Sequence, residues 1–85
     1  MNAFALPEKL TLVEASGVLA QLAGRTAAQG PWQVDAGALK QFDSSALAVL
    51  LQARRQGASG VVNAPPKLDA LAQMYGVAEV LALQA

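Results

Sequence analysis

The run Val34-Asp35-Ala36-Gly37-Ala38-Leu39-Lys40-Gln41-Phe42-Asp43-Ser44-Ser45-Ala46-Leu47-Ala48-Val49-Leu50-Leu51 contains the change of hydrophobic period on which the fold turns. Before it, Trp32-Gln33-Val34-Asp35 alternates apolar and polar residues, the period of a strand. Ala36 to Gln41 reads as a connection that carries Leu39 and Phe42 inward. From about Ser44 to Gln56 the apolar residues then recur at helical spacing. Ala46, Val49, Leu50 and Ala53 share one face, and Leu47, Leu51 and Arg54 lie on an adjacent one. The remaining strip, Ser45, Ala48, Gln52 and Arg55, is small and flat. A strand that gives way to a helix within a few residues is half of a crossover unit.

The same alternation extends outward in both directions. Upstream, the apolar stretch Ala3 to Leu6 before Pro7 fits a strand, with Lys9-Leu10 as its continuation. Thr11-Leu12-Val13-Glu14 matches a capping box, in which hydroxyl and carboxylate satisfy the free N–H groups of a helix start. Behind it Ala15, Val18, Leu19, Leu22 and Ala23 form one apolar face, Gly17 costs the helix about 1 kcal/mol relative to Ala, and Gln29-Gly30-Pro31 closes the unit. Downstream, Gly57-Ala58-Ser59-Gly60 is a loop and Val61-Val62-Asn63 a third strand. Pro65-Pro66 suits a helix's first turn, where a missing N–H loses no intrahelical bond. The third helix is expected to run to about Tyr75, with Leu68, Leu71, Ala72 and Tyr75 as its buried stripe and Gly76 as a left-handed terminator. Val80-Leu81 reads as a final short strand or turn. Strand and helix thus alternate three times. The predicted fold is α/β: one domain over residues 1–85, with a short, mostly parallel sheet packed by about three helices.

Composition narrows the function. The chain has 85 residues, and its six Lys and Arg balance six Asp and Glu, so clustered charge of the kind that binds a phosphate backbone is not expected; Arg54-Arg55 is the one basic pair. Neither cysteine nor histidine occurs, which removes disulfides, thiol nucleophiles, histidine bases and ordinary zinc sites together. There is no glycine-rich loop ending in Lys-Ser or Lys-Thr, and the carboxylates are too scattered to suggest a catalytic pair. The longest apolar run, Ala46 to Leu51, is far short of the roughly 20 residues that cross a bilayer, and the start lacks the basic and apolar regions of a secretory leader. Cytoplasmic residence is the expectation. With 54% hydrophobic and only 14% charged residues, the surface is short of polar cover, which favours contact with a protein partner.

The candidate site is the opening of the second helix. Asp43 or Ser44 can accept hydrogen bonds from N–H groups that the helix leaves free, and as ordinary caps they need no further role. A helix start also tolerates added negative charge, so a phosphate on Ser44 would suit the helix and, at an interface, disrupt the contact. The strip behind it can be read in two ways. It either packs against a neighbouring helix, or it combines with Asp43 and Ser44 into a docking face of Asp43, Ser44, Ser45, Ala48, Leu51, Gln52 and Arg55.

These residues resemble the central signature of STAS domains, in which a strand ending in Asp leads to Asp-Ser-Ser and an apolar helix. Leu10-Thr11, Val62-Asn63-Ala64-Pro65 and Tyr75-Gly76-Val77 resemble the family as well, so the likeness spans most of the chain. The compressed start Leu6 to Thr11 and the ending Leu71 to Leu81 are most similar to the MlaB-type branch. That resemblance implies a non-catalytic subunit without cofactor. Such a subunit binds the ATPase of an ABC-type phospholipid transporter and lies at the inner membrane only through that partner. The other branch, anti-sigma factor antagonists, implies instead an anti-sigma kinase as partner and Ser44 as the phosphorylated residue. Two departures from the family pattern stand out: Ala46 replaces a frequent Gly, and the N-terminal hairpin is curtailed, exposing a sheet edge through which a homodimer could pair.

Overall fold

The computed structural model describes residues 2–25 and 30–85; Gln29 of the expected turn lies outside them. The chain runs through β1 (Asn2–Ala5), β2 (Lys9–Leu10), α1 (Leu12–Leu22), β3 (Trp32–Asp35), β4 (Gln41–Phe42), α2 (Ser45–Arg55), β5 (Val61–Val62), α3 (Pro66–Met74) and α4 (Ala78–Leu81). The main sheet is parallel throughout, in the order β1-β3-β5, with Phe4 beside Val34 and Val34 beside Val61. Each strand is displaced from the last in one direction across the sheet. Right-handed crossovers of that kind deliver all the connecting helices to one face.

Burial follows the alternation. Phe4, Trp32, Val34 and Val61 are buried under the helices, whereas Ala3, Ala5, Gln33, Asp35 and Val62 are exposed or half-buried. Helices α1 and α2 pack together, α4 packs on α2, and α3 on α4. The core between helices and sheet centres on Leu10, Leu22, Val49, Leu50, Leu68 and Leu81, none of which reaches solvent.

Four details depart from the sequence reading. Val80-Leu81 belongs to a helix, the fourth among the described residues; the pairing that segment was expected to make falls instead to Leu83, which bridges Val61 in parallel. The close approach is possible because residue 60 is glycine: a Cβ there would lie 3.0 Å from the Ala82 carbonyl oxygen. Gln41, expected in a connection, pairs with Lys9, giving a second ladder of two residues. Ala23, assigned to the apolar face of α1, is exposed as that helix's C-cap. Tyr75 is 57% exposed and not part of a buried stripe, because α3 ends at Met74 and Gly76, at φ 72°, reverses the chain so that Val77 bonds back to Ala72.

Candidate docking site at the start of the second helix

The short ladder between β2 and β4 builds the site. Leu10 pairs with Phe42, so Thr11 and Asp43, the next residues of the two strands, emerge side by side at the starts of α1 and α2. At α1 the capping box forms as the sequence indicates. The Thr11 hydroxyl accepts from the Val13 N–H, and a Glu14 carboxylate oxygen accepts from the Thr11 N–H at 2.9 Å. The Thr11 hydroxyl also donates to that Glu14 oxygen at 2.6 Å, and this bond foremost, with the Thr11 N–H after it, holds Glu14 below the usual carboxylate range.

Asp43 does more than cap its own helix. Its Oδ1 accepts from the Ser45 N–H at 2.8 Å, while its Oδ2 accepts from the Leu12 N–H at 3.2 Å. One carboxylate therefore fastens the starts of both helices. The Ser45 N–H is the main reason that the Asp43 pKa is lowered; partial desolvation works against it and the Leu12 N–H adds to it. Of the two candidate caps, Asp43 does the work. Ser44 already has helical backbone angles, makes no side-chain capping bond and is exposed.

The remaining residues assigned to the site run down α2. Ser44, Ala48 and Arg55 are exposed, and Ser45, Leu51 and Gln52 are half-buried, along a face about 16 Å long at 1.5 Å per residue. Ala46, Val49, Leu50 and Ala53, on the opposite side, are completely buried. Gln52 is engaged within the molecule: its amide donates to Gln56, whose own amide donates to the Leu22 and Arg25 carbonyls.

Sequence reasoning did not find the surroundings. Leu12, 75% exposed, stands in the first turn of α1 although it is a large apolar residue. Ser44 and Asp43 border an open depression of about 740 Å³ whose walls include Phe42, Leu71 and Tyr75. Leu12 stands three residues before Ala15 and seven before Leu19, on the apolar side of the predicted helix, so its spacing gave no signal of exposure. Tyr75 carried none, since its spacing fits a buried stripe.

A second junction lies at the C-terminal end of the main sheet. Asp35 Oδ1 accepts from the Asn63 amide at 3.1 Å and from the Gly37 N–H at 2.9 Å, and these bonds, the first foremost, lower its pKa. It joins the end of β3 to the residue after β5, a structural task. Among the described residues no three acidic side chains converge in a way that would hold a metal ion, and no helix is long and apolar enough to cross a membrane. What the α2 face offers chemically is shape, small side chains and the exposed Ser44 hydroxyl, which makes no capping bond.

A family model described as "Mlab, STAS domain" matches residues 3–84. No curated protein and no solved structure matches.

Proposed function

Because the chain belongs to the STAS domain family of the MlaB type, we propose that it is a non-catalytic subunit that docks on the ATPase of an ABC-type phospholipid transporter. The observation that carries this reading is the state of α2: its apolar face is completely buried, yet Ser44, Ala48 and Arg55 remain exposed beyond it. Small side chains at Ser44 and Ala48 let another backbone approach closely. The Ser44 hydroxyl, not used as a cap, is available to a partner. A subunit that binds one ATPase conformation, or only its folded form, shifts the population toward that form without chemistry of its own. Location at the inner membrane would follow from the partner.

The test is affinity for the purified ATPase. Ser44→Trp or Ala48→Trp is expected to weaken the complex by about tenfold or more, equal to ~1.4 kcal/mol, with an unchanged melting temperature. Ser44→Asp is expected to act in the same direction. An unaltered complex in all three variants would remove the α2 face from the proposal. In the competing reading as an anti-sigma antagonist, the chain would instead co-purify with a small kinase and gain a phosphoryl group on Ser44, which intact mass would report.

A further inference from the structure

The formal charges balance, but the two signs are used differently. Glu14, Asp35 and Asp43 accept hydrogen bonds from backbone N–H groups, and Asp69 accepts from the Gln73 amide. Two of the three arginines also serve the fold. Arg54 donates to the Val80 and Ala58 carbonyls, and the Arg25 guanidinium lies 5.2 Å from the Phe4 ring centre and 5.6 Å from that of Trp32. Among the described residues the lysine side chains make no hydrogen bond to a carbonyl or carboxylate of the chain, although the charge of Lys9 helps to lower the Glu14 pKa. The chain has only three, Lys9, Lys40 and Lys67, and all are exposed around the depression beside Ser44. They come from separate parts of the chain: Lys9 from β2, Lys40 from the residue before β4, and Lys67 from the first turn of α3. Asp43 is the acidic residue lining the same depression, and its two oxygens are occupied by the helix starts.

We infer that this lysine-rimmed depression receives an acidic segment of the partner protein, with carboxylates on the three ammonium groups and an apolar side chain against Phe42, Leu71 and Tyr75. The inference rests on the docking role proposed above and extends that site from the face of α2 across its N-terminal end. A phosphate group fits less well. Of the N–H groups at the α2 start that would grip a phosphate, that of Ser45 already holds the Asp43 carboxylate, whose charge would repel the phosphate, and those of Ala46 and Leu47 bond to the Asp43 and Ser44 carbonyls. The cations are also spread around an opening with apolar walls. That arrangement suits several carboxylates on a peptide better than one compact anion.

Carbodiimide coupling of the complex with the purified ATPase tests this directly, since it joins a lysine amine to a carboxylate only where the two touch. Expected are cross-links from at least two of Lys9, Lys40 and Lys67 to one acidic stretch of the ATPase. The triple variant Lys9→Arg, Lys40→Arg, Lys67→Arg keeps the positive charge but offers no amine to couple, so those cross-links should be lost. Charge reversal of the three to Glu should weaken binding about tenfold or more at low salt, with the difference shrinking as salt is raised. If the ATPase binds and Ser44→Trp disrupts it, but no cross-link forms and the Glu variant binds as the parent does, the inference is overturned and the docking role stands. Lysine-dependent binding to phosphatidylglycerol vesicles, with none of these cross-links, would also overturn it, in favour of a membrane surface. If no complex forms with the ATPase at all, both readings fail together.

Discussion

The two ends of α2 are built to opposite plans. Its C-terminal end is tied inward beside the exposed Arg55: Arg54 reaches the Ala58 and Val80 carbonyls, Gln56 reaches back to Leu22 and Arg25, and Ala58 bonds to Ala53. Its N-terminal end has one polar anchor, Asp43, shared with α1, and around that anchor Ser44, Ala48 and Leu12 face solvent. One helix thus serves as a fixed strut at one end and as an open surface at the other. The lesson is that exposure at the N-terminal end does not reflect a loosely held helix. The register of β2 against β4 and the Asp43 fork hold it firmly while leaving its side chains uncommitted.

Substitutions can probe that contrast. The largest effect is expected at Leu50, which is fully buried between the ends. Leu50→Ala should cost about 2–5 kcal/mol in urea unfolding, and hydrogen exchange should rise at both ends of α2 together. Exchange confined to one end would show that the helix is not a single cooperative unit.

At the tied end, Arg54→Ala should lose about 1–3 kcal/mol, because it removes charged hydrogen-bond donors and leaves two carbonyls short of partners. Affinity of the folded protein for the ATPase should be retained. A variant that folds stably but fails to bind would bring Arg54 into the docking face beside Arg55.

At the open end the expected effects are smaller and depend on pH. The Asp43 pKa is lower in the folded chain than in the unfolded one, so over that interval the unfolded state binds more protons. The stabilisation is present above the ordinary aspartate value of about 4 and is lost as pH falls through the folded pKa; Glu14 and Asp35 act with the same sign. Asp43→Asn should lower the melting temperature at pH 7 and flatten its fall on acidification, by the Asp43 share, in melts recorded across that range. Ser44→Ala, which removes no capping bond, should change stability by less than about 0.5 kcal/mol. If Ser44→Ala proved the more damaging of the two, the assignment of the cap to Asp43 would be wrong.

Much of this was legible from local pattern. The capping box at Thr11 and Glu14, the buried face of α2 and the Gly76 terminator each depend on residues within one turn of one another, so sequence spacing alone specifies them. Val80-Leu81 was misread because a short apolar pair fits a strand as well as a helix turn. The outcome depended on Gly60 letting the segment after α4 lie against β5. Tyr75 was misread because helical spacing indicates a face but not where the helix stops.

By itself the sequence determined the alternation of strands and helices and the parallel sheet, and it singled out the stretch from Asp43 to Arg55 as a candidate docking face. The tertiary structure alone decided that Asp43 and not Ser44 makes the capping bond, that one carboxylate serves two helices, and that three lysines far apart in the chain share one opening. The physical reason is range. Periodicity and capping act between neighbours along the chain. The juxtaposition of Thr11 with Asp43, and of Lys9 and Lys40 with Lys67, arises only when parallel strands set the starts of successive units side by side.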